Sequence, residues 1–442
     1  MSRRAQSPAS MVPPSVAATA GISRRSFLRS AAIGGALLGS SGLLSACGGG
    51  GGGESSKTVT FGMNETGDQP AAQRLRAMAE AYQKKSGIKV KRNEVSHNTF
   101  QENINTYLQG NPDDVFTWFA GYRMNQFAEQ GLIADLSDVW PIDGMADSFK
   151  QASTASDGKQ YFVPKDYYPW AVFYRKSVFE KNGFEPPTTF DEMTTLAKKM
   201  KAKGMVPFAF GDKDGWPAMG TFDILNMRIN GYQFHMDLMK GEKAWDSAEV
   251  KQVFETWRGL LPYHQPDPLG RIWQEAAQTL GKGEAGMFLF GTFIVDGIPD
   301  VEDDLDFFTY PEMDASIGAT ALDAPIDGFC MSAASDNTDA AKKFLSFLGT
   351  PEAANAANDN ADAPFIAANS NASTKTYSAL QKKSVEVVSQ AKDIAQFLDR
   401  DTRADFASTV MIPSLQTWLG KPDDIDGVTK SIQQQKVSIF GS

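Results

Sequence analysis

The sequence predicts an α/β protein of more than one lobe. Short strand-like apolar runs alternate with amphipathic helical stretches, and this alternation persists over most of 442 residues, enough chain for two domain-sized cores. Only two cysteines are present, Cys47 and Cys330, so no disulfide framework competes with a packed core as the source of stability. No internal repeat points to a solenoid or propeller.

Taken in order, Val59-Thr60-Phe61-Gly62-Met63 alternates so that Val59, Phe61 and Met63 share one face of a strand. From about Pro70 to Lys85, Ala72, Leu75, Ala79 and Tyr82 fall on one helical stripe, with Gly87 where a left-handed cap is expected. Ile88 and Val90 begin a second strand, so the fold opens as a βαβ unit. The turn Asn111-Pro112-Asp113 leads into a short buried strand at Asp114-Val115-Phe116, and Phe127 to Leu136 reads as a helix broken at Gly131. Thr189 and Glu192 have capping-box spacing at the head of a helix that ends near Gly204, and Val206 to Phe210 is strand-like. Asp339 to Leu348 is an amphipathic helix, and Thr350-Pro351 opens the next with proline in its first turn.

Residues 1–46 read as an export address. Arg24-Arg25-Ser26-Phe27-Leu28-Arg29 precedes an uncharged, Gly- and Ser-rich stretch from Ser30 to Ala46. A membrane-spanning helix needs ~20 strongly apolar residues, which this stretch lacks. The paired arginines resemble a twin-arginine signal, with Arg29 where lysine is usual. Leu44-Ser45-Ala46-Cys47 resembles a bacterial lipobox, which implies that Cys47 carries a covalent diacylglycerol and becomes the new N-terminus. Gly48 to Ser56 is then a flexible linker (the segment 47–56), and Cys330 an inert core thiol. Loss of residues 1–46 removes Arg3, Arg4, Arg24, Arg25 and Arg29 and no acid, leaving a body more acidic than the whole chain's net charge of −10. Such a body disfavours nucleic acid or an anionic membrane surface as partner.

Four blocks in order resemble the extracytoplasmic solute-binding proteins of carbohydrate ABC importers, the group that includes maltose-binding protein. They are Asn111 to Phe116 with Gln130 to Leu136; Gly158 to Pro164 with Val172 to Lys176; Pro186 to Glu192; and Gly283 to Met287 before Gly291. Arg175 stands where the family often has Asn, and Phe293 near a family Trp. The resemblance implies two α/β lobes joined by a hinge that the chain crosses more than once, with ligand in the cleft between. One lobe would hold 57–165 plus 328–366 and the other 166–327 plus 367–442, with crossings near Lys165–Tyr167, Pro325–Gly328 and Pro364–Ala368. It further implies a monomeric receptor, tethered by lipid to the outer face of the bacterial cytoplasmic membrane, that closes on a sugar and delivers it to permease subunits.

A sugar offers C–H faces and a rim of hydroxyls, so its site needs flat aromatic rings beside short polar groups and arginine forks. Trp118, Phe119, Tyr122 and Arg123, just past a buried strand, meet that description, as do Tyr168 and Trp170 at the first expected crossing. Trp216 tips a turn, Asp327 lies at the second crossing beside Gly328, and the resemblance adds Glu65, Gly291, Phe293 and Arg403. Three scattered histidines, His97, His235 and His264, have no zinc-ligand spacing, and no phosphate loop, nucleophile elbow or dinucleotide fingerprint is present. No metal and no cofactor beyond the lipid are expected, and no enzymatic activity. Two rivals stay open: the same fold binding a non-sugar solute, and a secreted glycoside hydrolase, whose two flanking carboxylates no motif singles out.

Overall fold

The computed structural model describes residues 58–441. The expected export address, the lipid-bearing Cys47 and the linker lie outside the described residues. Eleven strands occur among the described residues: β1 (Thr58–Met63), β2 (Lys89–Glu94), β3 (Val115–Phe119), β4 (Val163–Tyr167), β5 (Trp170–Arg175), β6 (Val206–Phe208), β7 (Ala285–Gly291), β8 (Leu305–Phe308), β9 (Ala321–Asp323), β10 (Ile326–Met331) and β11 (Asp393–Ala395). They form a five-stranded sheet, β2-β1-β3-β10-β4, a four-stranded sheet, β6-β7-β5-β8, and a two-stranded ribbon of β9 and β11. In the first sheet β1, β2 and β3 are parallel while β10 returns antiparallel between β3 and β4.

Each sheet carries its own core, which makes two lobes. In the first, Val59, Phe61 and Met63 are fully buried against the helix Pro70–Ser86 through Leu75, Met78 and Ala79. Phe344, from the helix Thr338–Leu348, meets Phe61 edge-on at 5.3 Å. The opposite face buries Phe116, Trp118 and Phe127. The second core is denser in large rings: Trp257 and Trp418 lie 4.9 Å apart, and Phe222 stacks on Trp245 at 5.3 Å. Most local signals in the sequence act as expected. Gly87 ends its helix at φ +72°, the Thr189–Glu192 capping box is closed in both directions, and Thr350 accepts from the Ala353 amide ahead of Pro351–Asp359.

One element differs. Phe127 to Leu136 is not a broken helix: the helix runs earlier, Tyr122–Glu129, and Gly131 at φ +66° turns the chain outward so that Ile133 bridges Ser332 beside β10. Burial of Phe127 under Trp118 at 5.4 Å outweighs the apolar spacing further on.

The chain passes between the sheets where β4 ends and β5 begins, and again where β9 of the ribbon gives way to β10. β4 and β10 straddle the expected lobe boundaries at 165/166 and 327/328. Ala367 forms a bridge to Asp166, so a third segment joins β4 at the hinge.

Asp114 ties the first sheet together. One oxygen accepts from the Thr60 amide (2.8 Å) and hydroxyl (2.9 Å) on β1, and the other from Ser335 (2.6 Å) beyond β10. The residue is 6% exposed, so its loss strands buried donors. Asp114→Ala is expected to lower the free energy of unfolding in urea by about 2–4 kcal/mol, with Asp114→Asn costing roughly half. A change below about 0.5 kcal/mol would remove Asp114 from this role.

Candidate functional site

A cavity of about 440 Å³ lies between the two sheets. Its first wall comes from the first lobe: Asn64 and Glu65 after β1, and His97 and Asn98 at the start of the helix His97–Gln109. The facing wall is second-lobe: Trp216, Trp273, Phe293 and Asp296. The floor is the hinge itself, with Lys165 and Asp166 on β4, Tyr168 just beyond it, Asp327 and Gly328 on β10, and Arg400 from the short helix Leu398–Asp401. Gly328 is required there, because a Cβ would sit 2.2 Å from the Val163 carbonyl oxygen of β4.

Aromatic faces dominate the second-lobe wall. Phe293 meets Tyr168 at 5.1 Å and 82° and Trp273 at 5.6 Å and 89°, while Trp216 stands 6.1 Å away. These four rings are only partly buried and line the cavity. Trp170 supports them from behind: it is 2% exposed, packs on Phe397 at 4.9 Å and meets Trp216 edge-on at 6.4 Å. Gly220 makes room for it, since a Cβ there would lie 2.4 Å from the indole.

Most charges in the cavity come as pairs, with Asp214 held by a neutral amide instead. Arg400 donates to Asp327 at 2.7 Å and to the Tyr168 hydroxyl at 2.9 Å, and its guanidinium lies 4.0 Å from the centre of the Phe119 ring. Lys165 pairs with Asp166 at 3.2 Å, and His97 Nδ1 with Glu65 at 3.0 Å. Further contacts span the cleft between lobes, among them Arg74 to Asp296 at 3.3 Å and Asn98 to Asp214 at 3.2 Å. Burial pushes the Asp296 carboxyl up, and Arg74 pulls it back. Burial also lifts Asp166 to about 6; Lys165 opposes this and the facing Asp327 adds to it.

Of the residues expected at the site, Glu65, Trp118, Tyr168, Trp170, Trp216, Phe293 and Asp327 line this cavity. Trp118 does so only as wall material, at 1% exposure. Five others stand off it. Phe119 is buried beneath Arg400, Arg123 is consumed by a buried ion pair with Asp399 at 3.0 Å, and Tyr122 sits half-buried on the outer side of the same helix turn. The Cβ direction of Gly291 is filled by the Phe293 ring, 2.3 Å from where a Cβ would be. Arg403 is turned away from the cavity and bonds its own neighbour Asp405 at 2.7 and 3.0 Å. Sequence reasoning passed over Arg400, Trp273, Asp166 and Asp296. Arg400 lies in the same charged run as Arg403, and only the register of the four-residue helix decides which of the two points inward. Trp273, at the N-terminus of the helix Trp273–Gly281, carried no local signal beyond being a tryptophan.

Two lobes, a hinge crossed by several segments and a polar-aromatic cleft between them define a solute receptor. Residues 66–355 match the bacterial extracellular solute-binding protein family, and the chain belongs to it. An uncharacterised ABC transporter extracellular-binding protein of Pyrococcus horikoshii is 31% identical over 296 residues, 64% of this chain and 66% of that protein, so the chain spans just under two thirds of this relative's length. Among solved structures, the bacterial solute receptor AcbH is 42% identical with a TM-score of 0.83, covering 87% of this chain and 99% of AcbH, which is described as having an exclusive substrate preference for β-D-galactopyranose. A protein solved in connection with xylan utilization by Caldanaerobius polysaccharolyticus shares the fold, with a TM-score of 0.77 at 22% identity over 86% of this chain and 99% of that one.

Behind Arg400 lies a group of buried carboxyls. Asp223 accepts from the Leu398 amide and Asp401 from the Gln396 amide, both at 2.6 Å, while the Asp323 carboxyl has no hydrogen-bond partner among the described residues. Burial and mutual repulsion push Asp223 and Asp323 well above the ordinary carboxylate range, and burial lifts Asp401 to about 7. In the unfolded chain such groups lose their protons near pH 3.9. The folded chain therefore binds more protons between about 3.9 and 7, and stability must fall as pH rises through the folded value. The melting temperature is expected to be lower at pH 8.5 than at pH 5.5 by at least about 2 °C, with a shallower slope in Asp401→Asn; a melting temperature that climbs with pH over this range would contradict the assignment.

Proposed function

We propose that this chain is the sugar-capturing receptor of an ATP-driven importer. It takes a neutral hexopyranose into the cleft, closes, and presents it intact to membrane permease subunits. What carries the reading is the pairing of charge beside exposed ring faces. Asp327, Asp166 and Asp296 are already paired with Arg400, Lys165 and Arg74, Glu65 is held by His97, and Asp214 accepts from the neutral Asn98 amide. A polyamine would need unmatched carboxylates and a phosphate ester unmatched cations. A polyol needs neither, and uses such pairs as fixed donors and acceptors for its hydroxyls.

Within this reading Trp216, Trp273 and Phe293 take the C–H faces, and Arg400, Asp327, Lys165 and Asp166 take the hydroxyl rim. The 42% identity with AcbH makes D-galactose the first ligand to test. Hinge closure then serves as the signal to the importer, and no bond is broken. Delivery through a signal at residues 1–46 and a lipid on Cys47 would hold the receptor at the outer face of the cytoplasmic membrane. That arrangement suits a chain in which, among the described residues, no helix is long and apolar enough to cross a membrane.

Calorimetric titration with D-galactose and a panel of mono- and oligosaccharides tests this, with the products checked for cleavage. Saturable binding near micromolar Kd, about −8 kcal/mol, is expected. Trp273→Ala and Arg400→Ala are each expected to weaken it at least tenfold, about 1.4 kcal/mol. Hydrolysis of any sugar would overturn the receptor reading in favour of a glycosidase, and silence across the panel would overturn the sugar.

A further inference from the structure

His97 occupies a peculiar position in the cleft wall. Its Nδ1 is committed to Glu65 at 3.0 Å, and an ionised carboxylate only accepts, so Nδ1 carries a hydrogen. The other ring nitrogen, Nε2, has no partner among the described residues. Unlike Nε2 of His235 it is not sealed in the core, for the side chain retains 36% exposure on the cavity wall. The ring cannot easily swing away, since Glu65 holds one edge and the Phe119 ring lies 6.0 Å from its centre. Histidines held by a carboxylate in this way have their tautomer and direction set by it.

We infer that His97 is a ligand-contacting donor through Nε2, positioned by Glu65, and that capture of the sugar takes up a proton at this ring. The inference rests on the receptor reading. It also changes the role of Glu65, which then serves as a positioning residue behind the contact. Three charged groups face the imidazole: Glu65 from the loop after β1, Asp327 from β10 and Arg400 from the helix Leu398–Asp401. Asp214 approaches from across the cleft through its bond to Asn98, the next residue. Burial pulls the imidazolium down, but the Glu65 hydrogen bond and charge, helped by Asp327 and opposed by Arg400, leave it above its ordinary value.

A charge-assisted bond from the imidazolium to a sugar oxygen is roughly twice as strong as a neutral one. The bound state therefore holds this proton more tightly than the free state, and affinity must rise as pH falls from about 8 towards 6. His235 and His264 do not confuse the measurement, because burial pushes them down to about 3 and about 4.

The test is titration of the protein with D-galactose at pH 7.5 in buffers of different ionisation enthalpy, for wild type, His97→Asn and Glu65→Gln, with the His97 imidazole signal followed by NMR against pH. Wild type is expected to take up a fraction of a proton, and the His97 titration to move upward with sugar. His97→Asn should abolish the uptake and weaken binding about tenfold. Glu65→Gln should lower the His97 titration in the free protein and reduce the proton uptake on binding. Galactose binding without proton uptake, or with wild-type affinity in His97→Asn, would overturn this inference and leave the receptor standing. If neither galactose nor any other sugar of the panel binds, the receptor reading falls and this inference with it.

Discussion

The cleft depends on one buried cation. Arg400 belongs to a helix anchored in the second lobe, where the Leu398 amide bonds Asp223 and the Thr402 hydroxyl bonds the Met239 carbonyl at 2.6 Å. Its guanidinium nevertheless lies against the first lobe's strands, on Phe119 of β3 and Asp327 of β10, with Tyr168 of the hinge as third partner. Arg400 is 6% exposed, its Nε alone without a hydrogen bond among the described residues. A guanidinium so buried costs several kcal/mol of lost hydration unless it is well paired. Every neighbour is explained by that requirement. Asp327 supplies the counter-charge, Asp399 lies 3.8 Å from Nε while bonding Arg123, and the rings give the flat faces that a planar cation prefers.

This arrangement also accounts for the character of the site. A cleft in which most ion pairs are already made presents oriented donors and acceptors, so a ligand need not bring a charge of its own. The aromatic wall opposite, Trp216, Trp273 and Phe293, is held by second-lobe packing on Phe290 and Trp170. One lobe thus offers mainly polar groups and the other mainly ring faces, and a molecule that has both kinds of surface is best satisfied when the lobes meet. The contacts Arg74–Asp296 and Asn98–Asp214 join the lobes directly around the cavity. The two lobes are therefore held together around the cavity by protein–protein bonds.

Local rules made much of the fold legible. Alternation marked β1, the stripe through Leu75 and Ala79 marked the first helix, and capping chemistry placed Thr189 and Thr350. The failures were tertiary in origin. Phe127 was drawn into a helix starting at Tyr122 because it packs under Trp118, and apolar spacing alone does not show that contact. The site was half legible for the same reason. Aromatic residues at the hinge, Tyr168 and Trp170, follow from position along the chain, whereas the choice between Arg400 and Arg403 turns on the orientation of a four-residue helix packed against another lobe. Arg123 looked like a ligand fork and is instead the partner of Asp399, 276 residues away in sequence.

A crystal structure of the protein grown with D-galactose tests the central claim most directly. The expected result is one pyranose in the cleft, with a C–H face on Trp216, Trp273 or Phe293 and hydroxyls on Arg400 and Asp327, whose ion pair remains intact. A sugar bound elsewhere, or one that displaces Asp327 from Arg400 to bond the arginine alone, would contradict the account of a pre-paired cleft built for a neutral ligand.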